Sequence, residues 1–543
     1  MLFDPYDNPF PSKRSVVYGL RGMAASGQAL ASQAGLEMLQ AGGNAVDAAV
    51  AMAIALTIVE PCSNGLGSDA FAIVWSKEGL TGLNASGYAG SKADAGKLRE
   101  KGFDRMPAFG FAPVTVSGAP SAWKALSGRF GRLPFQKLFE PGIRYAREGY
   151  AVSPMVASGF RGGLTAEKKA MEDGRYGEKD LFMPWLDTFA SGGRAPLPGE
   201  KVVLKDHAAT LEELAQTGCE SFYRGRLAGI MADWHEKNGG FITGEDLAEY
   251  YPEWTDPIHV NYRGYDVWEI PPNGHGIIAL MALNILNGFQ PEKAEKIHDP
   301  EYVHRSIEAL KLAFADGKRY VTDPRYMSVT AGQLLSPDYA GQRRNLITGE
   351  ALEPFPGKPE SSGTVYLCAA DGDGNMISYI QSNYGGFGSG LVVPGTGIAL
   401  QNRGKEFSLD PEHDNYLLPR KKPYHTIIPG FLTKDGAPVG PFGVMGGYMQ
   451  PQGHLQVVEN LIDFHMNPQQ ALDAPRWQWT GSKDILAEYD YPTELIRDLQ
   501  RRGHRIRMAE SVNFGRGQVI LRQENGTLAG GTEPRTDGAV LGW

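Results

Sequence analysis

The sequence has few cysteines, no dense cluster of basic residues and no long apolar run, and each absence excludes a class of protein. Three cysteines among 543 residues are too few for a disulfide framework or a zinc knuckle, and they are compatible with a reducing compartment. The net charge is −9, and no basic patch is denser than residues 420–422, which argues against nucleic acid and anionic membranes as partners. The longest apolar run, residues 45–59, is too short to span a bilayer and contains Asp47, so it predicts a buried helix.

The N-terminus also lacks the basic stretch and following apolar stretch of a secretory signal peptide, so we expect a cytoplasmic protein. Hydrophobic residues make up 42% of the chain, which is ample for a sizeable core. The 69 glycines indicate many tight turns. The length suggests several domains, or one large unit that mixes helices and strands.

Periodicity predicts a helix-rich N-terminal part and a strand-rich C-terminal part. Before residue 364 we expect an irregular arm (1–20), strands at 22–25, 71–75, 80–84, 114–118 and 265–270, helices at 30–41, 45–59, 277–286 and 302–320, and a mostly helical region (130–250) broken over 162–177. After it we expect strands at 364–370, 376–381, 398–401, 427–433 and 441–445, then helices near 453–465 and 467–473. The patterns alone indicate an α/β or α+β fold.

A low-order linker over residues 345–363 ends at Gly363-Thr364, where an apolar strand begins. Taken locally, this junction is compatible with a plain strand start after a flexible loop. It also permits a chemical interpretation, because a chain-terminal Thr carries its own base, the free α-amino group. That amine titrates near pH ~8. Thr364 would have to be exposed by cleavage after Gly363.

Ordered motifs across most of the chain favour the chemical interpretation. They lie at 41–50, 60–71, 363–375, 387–390, 394–397, 420–426, 445–447 and 474–477. Together they resemble the γ-glutamyltransferase (glutathione hydrolase) family of N-terminal-nucleophile hydrolases. The resemblance implies an α+β fold with a four-layer αββα sandwich, made of two subunits cut from one self-cleaved precursor. Residues 1–363 would form the large, helix-rich subunit, and residues 364–543 would form the small subunit that begins with the Thr nucleophile.

The resemblance also implies a set of catalytic residues. Thr364 would be the nucleophile, and cleavage would fall between Gly363 and Thr364. Ser382 takes the place of a hydroxyl residue that hydrogen-bonds the nucleophile. Gly446 and Gly447 match the paired glycines whose backbone N–H groups stabilise the oxyanion.

The same resemblance implies a set of substrate-binding residues, and at one position this chain differs from the family. Asn402, Arg403 and Glu406 occupy the place where the family holds the substrate α-amino group, and His425 and Thr426 occupy the place of two serines that contact its carboxylate. Enzymes specific for γ-glutamyl groups carry an Arg in the loop of residues 84–90, where this chain has Tyr88. Tyrosine cannot replace a charged, two-pronged donor. Arg403 is the nearest substitute.

Three functions therefore remain open. The first is glutathione hydrolysis or γ-glutamyl transfer through an acyl-enzyme on Thr364. The second keeps this machinery for another amide, as in oxamate amidohydrolases or cephalosporin acylases, and Tyr88 and His425 favour it. The third, a non-enzymatic binding or structural protein, fits poorly with the retained catalytic residues.

No metal or organic cofactor is implied, since the sequence shows no ligand spacing; residues 271–276 predict a packing turn. The expected partners are a small amide substrate and the other cleaved subunit. A heterodimer and a dimer of heterodimers are both open.

Overall fold

The computed structural model describes residues 14–289, 296–354 and 365–543. Its strands are β1 Val17–Gly19, β2 Gly22–Ser26, β3 Asp69–Ser76, β4 Gly79–Ala85, β5 Tyr150–Ala151, β6 Lys201–Val202, β7 Glu253–Thr255, β8 Ile258–Tyr262, β9 Tyr265–Glu269, β10 Val365–Asp371, β11 Met376–Ser382, β12 Gly430–Lys434, β13 Ala437–Met445, β14 Trp477–Gly481, β15 Asp484–Glu488, β16 Arg505–Ala509, β17 Arg516–Arg522, β18 Leu528–Thr532 and β19 Ala539–Gly542.

Its α-helices are α1 Ala29–Gln40, α2 Ala45–Val59, α3 Ala95–Glu100, α4 Ala119–Phe130, α5 Glu140–Glu148, α6 Pro154–Glu172, α7 Met183–Phe189, α8 Lys205–Thr217, α9 Glu220–Arg224, α10 Arg226–Lys237, α11 Gly244–Ala248, α12 Gly276–Leu286, α13 Pro300–Tyr320, α14 Ala331–Leu334, α15 Pro337–Arg344, α16 Gln450–Ile462, α17 Pro468–Asp473 and α18 Thr493–Arg501. None of these helices combines the length and apolar character needed to cross a membrane.

Two seven-stranded antiparallel sheets organise the molecule. The first has the order β1-β18-β17-β13-β12-β9-β8, and the second has the order β19-β2-β10-β11-β3-β4-β7. A smaller sheet, β14-β15-β16, is not hydrogen-bonded to either of them. The fold thus mixes helices with antiparallel sheets, which confirms the α+β expectation at this level.

The side chains of β10 show how the sheets pack. Tyr366 and Cys368 belong to an apolar cluster that also contains Phe431 and Met445 of the first sheet. Leu367 and Ala369 point the other way, into a cluster formed with α1 and α2. Because successive side chains of a strand point to opposite faces, β10 has one face on the first sheet and the other on helices. On the first sheet, α12 packs against β8 and β9, α16 packs against β13, and α13 packs on α12.

The apolar run predicted as a buried helix is α2. All of its residues are buried, Asp47 included. Asn44 caps its N-terminus and Asp47 closes the capping box, which satisfies backbone donors that would otherwise be orphaned there. Asp47 also accepts hydrogen bonds from the backbone of Arg132 and Leu133, so its carboxylate joins α2 to the segment after α4.

Several predicted elements are wrong, and tertiary pairing explains most of them. Residues 114–118 and 398–401 form only isolated bridges, Ala89 with Thr115 and Gly67 with Leu400 among them. Residues 17–19, placed in an irregular arm, pair with β18. The glycine-containing stretch over 162–177 does not break the helical region where expected, because α6 continues to Glu172. The other helices and strands that we predicted within the described residues are present, with ends shifted by a few residues.

Candidate active site

Strand ends from both sheets meet on one side of the molecule. β11 ends at Ser382, which pairs with Asp69, the first residue of β3. β10 opens at Val365 opposite Gln381, the neighbour of Ser382. β13 ends at Met445, directly before the paired glycines. The predicted nucleophile Thr364 and its neighbour Gly363 lie outside the described residues; the site is therefore built from the residues around the start of β10.

Ser382 and the turn before β3 support the same loop. The hydroxyl of Ser382 accepts a hydrogen bond from the backbone N–H of Tyr384 at 2.8 Å. Tyr384 has a φ of 74°, a left-handed conformation that is rare for a bulky residue and is typical of functional sites. The hydroxyl of Ser68 donates to Oδ1 of Asn383 at 2.8 Å. Residues 61–68, which the sequence left as a turn near the site or a simple connection, therefore lie beside it.

Buried charges lie next to this loop. Oδ2 of Asp69 lies 3.0 Å from Nε2 of His425 and 3.5 Å from Nε of Arg403. The side chains of Asp69, Arg403 and His425 have no exposed surface. Burial raises the pKa of Asp69 to about 7 against the opposing charge of Arg403. Burial also lowers the pKa of His425 well below its usual value, so its ring is neutral.

His425 has little capacity left for a substrate. Its Nδ1 accepts a hydrogen bond from the backbone N–H of Ile427 at 3.4 Å, so in the neutral ring Nε2 carries the proton that is donated to Asp69. Both ring nitrogens therefore have protein partners. Asn402 is similarly engaged, since its Oδ1 accepts from the N–H of Gly385 and its Nδ2 donates to the carbonyl of Ala108.

Arg403 keeps donor capacity. Its Nη1 donates to Oγ1 of Thr426, and its guanidinium carbon lies 4.4 Å from the centre of the Tyr384 ring. None of the described residues accepts a hydrogen bond from Nη2. A buried guanidinium nitrogen without an acceptor is unfavourable unless a ligand supplies one. Arg403 is therefore the cation among the predicted site residues that has a donor without a partner in the described part of the chain.

Glu406 lies on the same 3-10 turn as Arg403, with both carboxylate oxygens in contact with tyrosines. The hydroxyl of Tyr384 donates to Oε1, and that of Tyr448 donates to Oε2. Lys318 lies 4.3 Å from the ring centre of Tyr448. The predicted ammonium-binding carboxylate is thus held by two neutral donors, with cations close by.

Gly446 and Gly447 begin the connection from β13 to α16. Their φ angles of 136° and 56° favour glycine. Gly447 opens a 3-10 turn that leads into the first residue of α16, Gln450. Backbone N–H groups at the start of a helix lack internal partners and attract negative charge. This geometry suits the predicted oxyanion donors.

The structure does not bring the side chain of Tyr88 into the buried cluster. Its hydroxyl donates to the carbonyl of Asp246 at 2.7 Å, and burial, together with the charge of Asp246, raises its pKa to about 12. The loop reaches the cluster through the backbone instead, since the N–H of Gly87 lies 3.3 Å from Oδ1 of Asp69. Residues 271–276 pack as predicted, exchanging backbone hydrogen bonds with His425.

Sequence reasoning missed Asp69, Tyr384 and Tyr448. Asp69 opens a strand directly after a glycine-rich turn, and a charged residue at that position was a usable signal. Tyr384 and Tyr448 could not be recognised from sequence, because their partner Glu406 lies close to them only in the folded chain.

Elsewhere, His304, Glu308 and His504 form a buried group with ligand atoms within 4.8 Å of one another. Nζ of Lys311 lies 2.7 Å from Oε1 of Glu308 and supplies the positive charge there, so the arrangement favours an ion pair over a metal centre.

Known proteins resemble the chain over nearly its whole length. The family model described as gamma-glutamyltranspeptidase matches residues 31–543. The glutathione hydrolase-like YwrD proenzyme of Bacillus subtilis is 35% identical, covering 97% of this chain and 99% of that protein. The oxamate amidohydrolase proenzyme of Klebsiella pneumoniae is 35% identical, covering 96% and 98%. The crystal structure of cephalosporin acylase from Bacillus halodurans is 55% identical, with a TM-score of 0.94 and coverage of 100% and 99%.

Proposed function

The chain belongs to the gamma-glutamyltranspeptidase family, whose members are hydrolases and acyltransferases, and from this premise we propose that it is a self-processing amidohydrolase with an acyl-enzyme on Thr364. Its acyl donors are amides whose acyl part ends in a carboxylate. The αββα sandwich implied for the family is supported by two facing sheets with helices on their outer sides.

Processing proceeds within the precursor. The hydroxyl of Thr364 attacks the carbonyl of Gly363, the peptide bond becomes an ester, and water cleaves that ester to free the α-amine. The products are a subunit of 363 residues and one of the remaining 180 of the 543 residues. The names of both curated relatives, which call them proenzymes, support this step.

Turnover repeats the same chemistry on a substrate. The freed α-amine takes the proton of the Thr364 hydroxyl as its oxygen attacks the amide carbonyl, and it returns that proton to the leaving amine. Water then hydrolyses the acyl-enzyme ester and releases the acid. Ser382 follows Gln381, the β11 partner of Val365, and we assign its hydroxyl the hydrogen bond to the nucleophile. The N–H groups of Gly446 and Gly447 stabilise the oxyanion, a contribution of about 10²–10³ in rate for one donor.

The assignment of the acyl group rests on Arg403. Its guanidinium is fully buried, and its Nη2 lacks an acceptor among the described residues. A substrate carboxylate supplies that acceptor through a charge-assisted hydrogen bond. Glutathione and oxamate, named for two relatives, share this chemistry, since each is an amide with a carboxylate on its acyl part.

The site offers the ammonium of a γ-glutamyl group a weaker partner than it offers the carboxylate. Glu406 already accepts hydrogen bonds from Tyr384 and Tyr448, and the guanidinium of Arg403, on the same turn, repels a second cation. Glutathione hydrolysis or γ-glutamyl transfer is therefore the second candidate, favoured by the negative charge of Glu406. Glutaryl and γ-glutamyl amides separate the candidates because they differ only in the α-amino group.

The test compares the p-nitroanilides of glutaryl, γ-glutamyl and butyryl acids. We expect kcat/KM to fall in that order, with the difference between the first and last mainly in KM, because the carboxylate is held throughout the reaction. Thr364→Ala is the control for background hydrolysis. A butyryl anilide turned over as well as the glutaryl anilide would refute the carboxylate assignment, and a preference for the γ-glutamyl anilide would favour the second candidate.

A further inference from the structure

One buried carboxylate, that of Asp69, connects three parts of the site. Its Oδ2 accepts from Nε2 of His425 at 3.0 Å and lies 3.5 Å from Nε of Arg403. Its Oδ1 accepts from the N–H of Gly87 at 3.3 Å. His425 is neutral, so Arg403 is the group that balances the charge of Asp69 at contact distance.

These contacts fix the guanidinium of Arg403 on three sides. Its Nε edge faces Asp69, its Nη1 donates to Thr426, and one face covers the ring of Tyr384. Nε and Nη2 both lack a hydrogen-bond acceptor among the described residues, but Nε is in ion-pair contact with Asp69, which leaves Nη2 for a ligand. The orientation that Asp69 sets therefore decides where this donor points.

We propose that Asp69 is a positioning residue that orients Arg403 and thereby sets the preference for acyl groups ending in a carboxylate. The inference rests on the proposed function, in which Arg403 binds that carboxylate. Without Asp69, Arg403 is still attracted by Glu406, a carboxylate on the same turn that interacts with it electrostatically. A guanidinium attracted to Glu406 no longer directs Nη2 toward the substrate.

The test is Asp69→Asn, a substitution that keeps the shape of the side chain and removes its charge. We expect the ratio of kcat/KM for the glutaryl anilide over the butyryl anilide to fall about tenfold. The loss should lie in KM of the glutaryl substrate, with kcat and the butyryl substrate little affected. Asp316→Asn is the matched control, because Asp316 is also buried and forms an ion pair with an arginine, Arg343, outside the site. An unchanged or increased ratio in Asp69→Asn, or equal losses on both substrates, would overturn the proposal.

Arg403→Gln and the double variant show whether Asp69 acts through Arg403. If it does, Asp69→Asn has no further effect on the ratio once Arg403 is replaced. A full additional loss in the double variant would overturn the proposal. A ratio unaffected by Arg403→Gln alone would instead refute the proposed function, so the two failures are distinguishable.

The double variant also keeps the proposal testable if Asp69→Asn does not fold. Removing one member of a buried ion pair leaves the other charge uncompensated, whereas removing both is better tolerated. We therefore expect the double variant to be cleaved into two chains even if Asp69→Asn is not. A double variant that remains as unprocessed as Asp69→Asn would show that Asp69 acts through His425 or Gly87, which contradicts the proposal.

Discussion

At the scale of single residues, the charges around Arg403 decide which acyl groups the site accepts. Glu406 is the only group of the predicted set that can attract an ammonium, and its oxygens are already shared with Tyr384 and Tyr448. Substitution by glutamine removes its charge and keeps an oxygen for one of the tyrosines. The charge and the shape of this position can therefore be tested separately.

We predict that Glu406→Gln raises KM for the γ-glutamyl anilide about tenfold, as expected for the loss of a partly shared ion pair. KM for the glutaryl anilide should stay the same or fall, because Arg403 loses a competing anion. Steady-state kinetics of both substrates on the wild type and the variant check this. A parallel rise in KM for both substrates would mean that Glu406 supports the site structurally.

The preference for a carboxylate-bearing acyl group should depend on pH through Asp69. Burial raises the pKa of Asp69 to about 7, so Asp69 gains its charge as the pH rises through that value. Ionised Asp69 orients Arg403, and the glutaryl-to-butyryl ratio of kcat/KM should therefore increase between about pH 6 and pH 8. Comparing two substrates cancels the titration of the catalytic amine. The groups facing Asp69 are Arg403, neutral His425, the Gly87 N–H and the more distant Lys422, Tyr223 and Tyr250.

The measurement is this ratio across the pH range in wild type and in Asp69→Asn. The variant should give a flat profile. A wild-type ratio that falls as the pH rises would contradict the assigned direction, and an equal slope in the variant would assign the titration to another group.

The sequence could indicate Arg403 and Glu406 as binding residues, because both follow a motif that resembles a known family. It could not indicate how they are held. Asp69 and Arg403 are far apart in the chain, and their contact depends on β3 pairing with β11. His425 was ambiguous from sequence for the same reason, since its partners Asp69 and Ile427 become visible only in the fold.

At the scale of elements, the turn from β13 into α16 presents the oxyanion donors. Gly447 has a φ of 56°, where a side chain strains the backbone by ~1–2 kcal/mol. A β-branched residue there displaces the N–H groups as well. Gly436, in the turn between β12 and β13, has a φ of 73° and open space around it, which makes it a matched position away from the site.

We predict that Gly447→Val lowers kcat by about 10²–10³, and that Gly436→Val leaves kcat nearly unchanged while imposing a similar backbone strain. Thermal unfolding of both variants checks that each is folded. Equal turnover in the two variants would place the oxyanion donors elsewhere.

Elements with a strong local signal were predictable. The hairpin of β10 and β11 is set by two β-prone runs, that of β10 continuously apolar, and a turn at 371–375, and α2 by its continuous apolar run and its cap. The segments at 114–118 and 398–401 have the composition of strands but make only isolated bridges. Contacts with residues distant in the chain determine the conformation of these two segments, and such contacts cannot be predicted from the local sequence.

At the scale of the whole molecule, a buried ion pair secures the segment that leads to the predicted cleavage point. Glu308 accepts from the N–H of Leu352, and Nζ of Lys311 donates to the Leu352 carbonyl. Both charged side chains are fully buried. His504, from the predicted small subunit, lies in the same cluster, so the cluster joins the two predicted subunits.

We predict that Lys311→Met destabilises the protein by about 3–5 kcal/mol, because it leaves the Glu308 charge buried without a partner. Glu308→Gln/Lys311→Met should be less destabilised than the single variant. Arg505→Ala breaks an exposed pair with Asp484 and should leave stability nearly unchanged, because solvent screens such pairs. Thermal or denaturant unfolding of the three variants measures this, and a single variant as stable as Arg505→Ala would contradict it.

Self-processing at Thr364 is the step from which the proposed activity follows. Intact-mass measurement of the purified protein, with N-terminal sequencing of the smaller chain, tests it directly. We predict two chains, of 363 and 180 residues, the smaller beginning Thr-Val-Tyr-Leu, and a single inactive chain for Thr364→Ala. A wild-type protein that remains one chain of 543 residues and hydrolyses the anilides at full rate would contradict the account.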